Sequence, residues 1–174
     1  KKPEYVAATV TAYREVRDAY LAGESVEKLA EEQEKKLLDI YNRGGFCSGY
    51  YYTSNGKKML ANSRPNHTGI KVGRVNAVEK PYVDIKLDEN VSAGDVLEIR
   101  GRNGDVELTC NVAAKVGKNV RLKAKSFRSI AKFNDVYRTR NGKLLEDIQN
   151  NIINADRKIE LVAHVSAYAD QPLE

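Results

Sequence analysis

The chain has 174 residues, of which 41% are hydrophobic and 30% charged, so it can bury a core and still present a well-solvated surface. Its apolar runs are only a few residues long, far below the about 20 that a membrane-spanning helix needs, which excludes a membrane-spanning helix. The formal net charge is +5, and such an excess favours an acidic or polyanionic partner when it is concentrated on one body.

The first residues lead directly into an amphipathic pattern. Lys1, Lys2, Pro3 and Glu4 lack the apolar stretch of a signal peptide and the arginine-rich, acid-poor character of a transit peptide. We therefore expect a cytoplasmic protein, or an excised piece of one.

Two helices are predicted at the start of the chain. Pro3 suits a first helical turn, and apolar residues recur every three or four positions until Gly23 ends the pattern. Ser25 is predicted to cap a second helix, and Gly44-Gly45 offers that helix a left-handed exit. The two apolar stripes must cover something, which is either the rest of this chain or a domain outside it. Residues 1–45 are thus predicted to be a helical lead-in.

The residue pattern changes from helical to strand-like at Phe46. Short runs of β-branched and aromatic residues then alternate with Gly, Asn and Ser, as in an all-β barrel or sandwich. Asn55-Gly56 and Asn103-Gly104 are turn signals. The predicted strands are residues 70–75, 82–87, 96–100, 106–112 and 119–124, with a turn at 91–95. At this size, closure removes the sheet edges, so residues 46–125 are predicted to form a small antiparallel β-barrel.

Residues 126–174 differ again. They are predicted to contain a strand at 135–139, a short helix at 141–151 and a second strand at 158–167. Without a closing element, this segment is expected to be the truncated start of a further α+β unit. The fold class is therefore mainly β with α: a barrel preceded by two helices and followed by a short α+β segment.

The positive charge is concentrated in the middle segment. Residues 46–125 hold 14 Lys and Arg against 8 Asp and Glu, whereas the two flanking segments are balanced or slightly acidic. Basic side chains and aromatic rings together are typical of sites that hold phosphates and stack bases. The predicted anion- or RNA-binding residues are Arg43, Tyr50, Tyr52, Lys57, Lys58, Arg64, His67, Lys71 and Arg74. The alternative is that the tyrosines are core residues and that the charged side chains form a solvated face.

No catalytic residue, cofactor or metal site is assigned. Cys47 and Cys110 are too few for a disulfide framework, and His67 and His164 do not follow a metal-binding spacing. A nucleophile pair of Cys47 and His67 would require contact and a third, orienting group. We interpret both as ordinary loop residues.

Several stretches resemble peptidase family U32, the collagenase-like proteins. The stretches that carry the resemblance are Pro3-Glu4-Tyr5-Val6 with Tyr13-Arg14, Tyr41-Asn42-Arg43-Gly44 with Gly49-Tyr50-Tyr51, residues 66–75 with Gly69 and Val72-Gly73, the Gly94-Asp95 turn, and a tail from Asp135 through Leu145 to Pro172-Leu173. The middle segment is similar to the barrel of longer family members and to the second domain of translation elongation factors. The tail is similar to the start of the collagenase-associated extension that longer members of the U32 family carry.

The resemblance implies a particular place for this chain in a longer protein. The family's N-terminal TIM-like domain carries a Glu-x-Phe-x-x-Gly signature with spaced cysteines, and the chain lacks that signature. The chain is therefore expected to be a non-catalytic C-terminal accessory or substrate-docking region of a collagenase-like U32 peptidase, a hydrolase. Two alternatives stay open: an RNA-docking module of a U32-type RNA base hydroxylation enzyme, and a structural scaffold for the N-terminal domain.

Overall fold

A computed structural model describes residues 2–46, 51, 66–156, 158 and 160–164. It contains helix α1 (Pro3–Leu21), helix α2 (Glu27–Ile40) and a late helix α3 (Gly142–Ile148), which continues into a turn of π-helix (Gln149–Ile153). Six strands are formed by the described residues between α2 and α3. They are β1 (Ile70–Glu79), β2 (Tyr82–Leu87), β3 (Val96–Gly101), β4 (Gly104–Thr109), β5 (Asn119–Lys123) and β6 (Asp135–Arg140).

The two N-terminal helices are confirmed, but one capping interaction is not. Pro3 occupies the first turn of α1, where its missing N–H costs nothing. The prediction that Ser25 caps α2 is wrong, because α2 starts one residue later and has Val26 at its cap position. The Ser25 hydroxyl donates instead to the Glu27 carboxylate (2.5 Å) and lowers its pKa.

The strands form one antiparallel sheet in the order β4-β3-β6-β1-β2-β5. The sheet curls until its edge strands β4 and β5 contact each other, and Val91 bridges to Ala114 beside that seam. Irregular register in the β1–β2 and β1–β6 pairs increases the local twist, as bulges do. This arrangement confirms the predicted mainly β, barrel-like fold.

The β3–β4 hairpin turns within two residues. Gly101 pairs with Gly104, leaving Arg102 and Asn103 between them. Gly104 has the positive φ that the sequence predicts (118°), whereas Asn103 does not. The tight turn brings Arg102 to one end of the barrel.

Strand β6 lies at the centre of the sheet, between β1 and β3. The sequence predicts this strand correctly but groups it with the segment after the barrel. Val136 on β6 is fully buried and pairs with Gly73 of β1 and Ile99 of β3. The barrel sheet therefore runs from Ile70 to Arg140.

Two apolar clusters hold the described residues together. The larger lies inside the curled sheet and is built from alternating strand positions; its fully buried members include Val72, Val75, Val83, Ile85, Leu97, Ile99 and Val136. The smaller consists of Ala8, Ala12, Leu37 and Ile148. It joins α1, α2 and α3, so the helix after the barrel packs on the helices before it.

The second predicted strand of the tail is not formed where the structure describes it. Residues 158 and 160–164 have no regular secondary structure, and Leu161 is 85% exposed. Alternation alone does not make a strand when no neighbour supplies a ladder. The remaining residues of that prediction, and the predicted turn at Asn55-Gly56, lie outside the described residues.

Candidate functional site

Four of the nine predicted anion-binding residues lie in the described part of the chain. They are Arg43, His67, Lys71 and Arg74. The other five, Tyr50, Tyr52, Lys57, Lys58 and Arg64, lie outside the described residues. The four form two pairs, each gathered around a different third residue.

Arg43 and His67 meet at Tyr41. The His67 ring stacks on Tyr41 with 5.5 Å between centroids and 9° between planes, and the Arg43 guanidinium lies 5.3 Å from the Tyr41 centroid. The backbone N–H of Asn42 donates to Nδ1 of His67 (2.8 Å). The same Nδ1 lies 3.1 Å from the carbonyl oxygen of Asn42. His67 thus joins the exit of α2 to the entry of β1.

The loop after α2 is shaped by Asn42. Its side-chain oxygen accepts from the backbone N–H groups of Gly44 (2.8 Å) and Gly45 (2.7 Å), and both glycines have the predicted positive φ. Its amide nitrogen donates to the carbonyl oxygen of Gly69 (2.9 Å). The loop is therefore fastened to the start of β1.

Lys71 and Arg74 share one carboxylate. Lys71 Nζ lies 2.7 Å and Arg74 Nε lies 3.3 Å from Oδ1 of Asp135 on the neighbouring strand β6. The ammonium group of Lys71 holds the pKa of Asp135 below its usual range, and the guanidinium group of Arg74 adds a smaller effect in the same direction. One of their two positive charges is thereby balanced within the protein.

A depression of about 450 Å³ connects the α2 exit loop with the sheet, and Lys71 lies on its wall. Arg100 of β3 lies over the ring of Tyr137 of β6, with 3.4 Å from the guanidinium carbon to the ring centroid. Its side chain also donates to Glu98 (2.8 Å) and to the carbonyl of Thr68. We call this depression, lined by Asn42, Gly44, Thr68, Gly69, Ile70, Lys71, Arg100 and Tyr137, the basic groove.

Arg100 and Tyr137 are the groove residues that the sequence does not predict. Glu98 pairs with Tyr137 across β3 and β6, so Arg100 is a diagonal neighbour of Tyr137 on the same face. The signal that would have found them is the pairing of β3 with β6, which are separated along the chain by two other strands.

A buried ion network lies behind this groove. Arg138 of β6 binds Asp39 of α2 through Nη2 (2.6 Å) and Nε (3.0 Å) and approaches Asp95 through Nη1 (3.3 Å). Asn141 donates to Asp39 (2.7 Å), and the backbone N–H of Gly142 donates to Asp95 (2.9 Å). The network fixes α2, β6 and α3 relative to one another, and its charged side chains, Asp39, Asp95 and Arg138, are buried.

Helix α1 carries an apolar face that the described residues leave open. Val6 and Val10 are about half exposed and Tyr13 is 73% exposed, and their spacing puts them on one side of the helix. A depression of about 570 Å³ between α1 and α2 adjoins this face and is lined by Tyr5, Tyr13, Leu37 and Phe46 among others. Exposed apolar residues grouped on one face of a helix form a candidate interaction surface.

Cys110, the cysteine within the described residues, is a free, buried thiol. Burial raises the pKa of Cys110, which makes its thiolate scarce at neutral pH, and its Sγ donates to the carbonyl of Val112 (3.0 Å). Cys47, the other cysteine, lies outside the described residues. Within the described ranges no group of three or more His, Cys, Asp or Glu side chains is placed to hold a metal ion.

Comparison with known protein families identifies a match over part of the chain. The model of peptidase family U32 matches residues 1–61, which include α1 and α2, and confirms the predicted resemblance for that part of the chain. The resemblance of the later segments, including that of the tail to the collagenase-associated extension, stays a prediction. No curated protein and no solved structure matches the chain. The likeness of the barrel to the second domain of translation elongation factors stays a prediction. None of the helices in the described ranges combines the length and the apolar character that a membrane span requires.

Proposed function

We propose that this chain is a docking region in a protein of peptidase family U32, and that it carries no catalytic residues of its own. The open apolar face of α1 is the observation that carries the proposal. That face lies within residues 1–61, which the family model matches. In this proposal the parent protein is a collagenase-like hydrolase whose reacting groups lie in its N-terminal TIM-like domain.

Helix α1 supports the proposal because one of its sides is buried within the described residues and another is exposed. Ala8 and Ala12 are buried against α2 and α3, and their small side chains allow close packing. Val6, Val10 and Tyr13 point away from that contact and are exposed. Exposing such a stripe is unfavourable unless a partner covers it. We assign the TIM-like domain of the same protein as that partner.

The barrel then becomes the part presented to substrate. The ion network of Asp39, Arg138 and Asp95 and the small helical cluster connect the docked helices to the sheet. A rigid connection of this kind would hold the basic groove in one orientation relative to the catalytic domain. Substrate positioning is therefore the role we propose for the groove.

A binding experiment tests the docking proposal. The TIM-like domain, expressed separately, should bind this chain, and a double variant with Val10→Glu and Tyr13→Glu should weaken the affinity at least tenfold because it buries two charges without partners. Val116→Glu is the matched control, since Val116 is also exposed but lies on the barrel. Absence of binding, or equal losses in variant and control, would contradict the proposal.

A protease assay tests whether the chain lacks catalytic residues of its own. We expect the isolated chain to show no cleavage of gelatin or casein. Cleavage that is abolished by Cys47→Ala would show instead that the chain contains a nucleophile.

The second candidate function is RNA docking in a U32-type RNA base hydroxylation enzyme. The observation that favours it is the cation–aromatic pair of Arg100 and Tyr137 beside Lys71 in the basic groove, because basic groups and rings together suit single-stranded RNA. We expect salt-sensitive RNA binding that weakens on charge reversal at Lys71 and Arg74. No RNA affinity at low salt would remove this candidate for the isolated chain.

A further inference from the structure

The arginines and lysines of the barrel divide into paired and unpaired groups. Lys71 and Arg74 bind Asp135. Arg121 binds Asp84 (2.7 Å) and Glu79 (2.8 Å), which lowers the pKa of Asp84. The residues Arg102, Arg128 and Lys132 make no ion pair within the part of the chain that the structure describes.

These three unpaired cations line one depression. It has a volume of about 370 Å³, lies between the β3–β4 turn and the loop before β6, and has no Asp or Glu in its lining. Ser129, Asn103 and Asn134 contribute neutral hydrogen-bonding groups to the same walls. We call this depression the loop pocket. Three like charges around one concavity repel one another unless an anion joins them.

The fold builds the loop pocket by a close backbone approach. A Cβ atom at Gly101 would lie 1.9 Å from the carbonyl oxygen of Ser129, so only glycine at that position lets the loop lie against the hairpin. Within the loop, the side chain of Asn134 accepts from the backbone N–H of Ala131 (2.6 Å). The backbone of Val75 exchanges hydrogen bonds with Phe133 (2.8 Å) and Asn134 (2.9 Å). The loop is thus held at both of its sides.

We infer that the loop pocket binds a phosphate group through Arg102, Arg128 and Lys132. Guanidinium groups bind phosphate oxygens in pairs with well-defined geometry, and an ammonium group adds a third, less directional contact. A phosphate with a charge near −2 matches three cations better than a single carboxylate does. The inference involves neither the α1 face nor the basic groove, so it does not depend on the proposed function.

Phe133 provides a way to identify where the phosphate comes from. Its ring is 71% exposed, and Lys132 Nζ lies 5.0 Å from the ring centroid. A nucleotide can stack its base on such a ring while its phosphate is held by nearby cations. A free phosphate or pyrophosphate would not use the ring. The two sources share one phosphate chemistry and differ in their dependence on Phe133.

Calorimetric titration at low ionic strength with pyrophosphate is the primary test. A triple variant, Arg102→Gln, Arg128→Gln and Lys132→Gln, should lower the affinity at least tenfold. The matched control is Lys115→Gln, Lys118→Gln and Lys123→Gln, which removes the same charge from exposed residues outside the loop pocket. The control should lose less than twofold. Equal losses in both variants, or no binding by the unmodified chain, would overturn the inference.

Gly101→Ala tests the geometry with all three cations retained. It should reduce pyrophosphate affinity to the level of the triple variant, while a cooperative thermal transition shows that the chain remains folded. If Gly101→Ala is unfolded, the triple variant alone decides the matter, since its substitutions are all at exposed positions. A folded Gly101→Ala variant with unchanged affinity would contradict the built pocket.

A single-stranded oligonucleotide of about ten nucleotides identifies the source of the phosphate. If its affinity falls at least tenfold in the triple variant and also falls in Phe133→Ala, the loop pocket holds a nucleic-acid phosphate. If the triple variant affects pyrophosphate alone, the pocket holds a free phosphate compound. Both results support the phosphate site, whereas insensitivity of both probes to the triple variant would refute it.

Discussion

Arg138 of the central strand and Asp39 near the end of α2 form a bidentate ion pair, with Nη2 to Oδ2 at 2.6 Å and Nε to Oδ1 at 3.0 Å. Both side chains are more than nine-tenths buried. The remaining donor group of Arg138 is taken by the carbonyl of Asn90 (2.7 Å) and by Asp95. A buried pair with this many partners makes the position of α2 against the sheet highly specific.

Removing one partner of that pair should be costly. Asp39→Ala leaves Arg138 with Asp95 as its remaining carboxylate partner and leaves the amide of Asn141 without its acceptor. We expect the free energy of unfolding, measured by urea denaturation, to fall by about 3 kcal/mol. Asp18→Ala is the control, because Asp18 pairs with Arg17 on the surface and such pairs contribute about 0–1 kcal/mol. Similar losses in the two variants would contradict the assigned role of the network.

Acid should weaken the barrel at the β1–β6 ladder. The pKa of Asp135 is held below its usual range, mainly by Lys71, so its ionised form is favoured more in the folded than in the unfolded chain. The stability that it contributes is present above the ordinary carboxyl pKa of about 3.9 and is lost as the pH falls through the folded value.

The variant Asp135→Asn should reproduce the acid state at neutral pH. Because the pair is partly exposed, we expect a loss of about 0.5 kcal/mol at pH 7, and this difference from the unmodified chain should vanish at low pH. Glu107→Gln serves as the control, since Glu107 is exposed on β4 and makes no ion pair within the described ranges. A pH-independent difference would show that Asp135 acts through shape and not charge.

Phe133 should be replaceable with a gain in stability. Among the described residues it is the one non-glycine with a positive φ, 69°, and a left-handed conformation costs such a residue about 1–2 kcal/mol. Because the ring is exposed, Phe133→Gly loses little packing and should raise the free energy of unfolding by about 1 kcal/mol. The same change at Val112, which is exposed without a positive φ, should not stabilise the chain. A stability loss in Phe133→Gly would mean that the ring packs usefully.

The thiol of Cys110 should react only when the chain unfolds. It is fully buried, and burial raises its pKa, so both access and thiolate formation are limited. In a Cys47→Ser variant, we expect negligible reaction with a thiol reagent in native buffer and full reaction of one thiol in urea. Rapid native-state reaction would indicate that the seam near Cys110 opens readily.

Local signals in the sequence predict the helices and most strands. The three-and-four spacing of Val6, Val10 and Tyr13 finds α1, and the period of two in β2 and β3 finds strands whose alternate residues are buried. These patterns arise from contacts with neighbours along the chain or directly across one turn. Ser25 shows the limit of such reasoning, because its hydroxyl binds the neighbouring Glu27 side chain in place of the helix backbone.

Relationships between distant residues are the part that the sequence does not reveal. The pairing of Arg138 with Asp39 spans 99 positions, and the stack of Arg100 on Tyr137 depends on β6 inserting between β1 and β3. Likewise, Lys71 and Arg74 look like free cations until β6 brings Asp135 beside them. Each depends on strand order, which periodicity does not encode.

The central position of β6 also has a consequence for the order of events during synthesis. Among the described strands, β2 pairs with both β1 and β5, and β3 pairs with β4, but only β6 joins these two groups by strand hydrogen bonds. Residues up to Arg140 must therefore leave the ribosome before the sheet can become one body. Until then the edges of β1 and β3 are open, and an unpaired edge is a template for pairing with other chains. A chain that stalls before Arg140 would be the species most prone to aggregate.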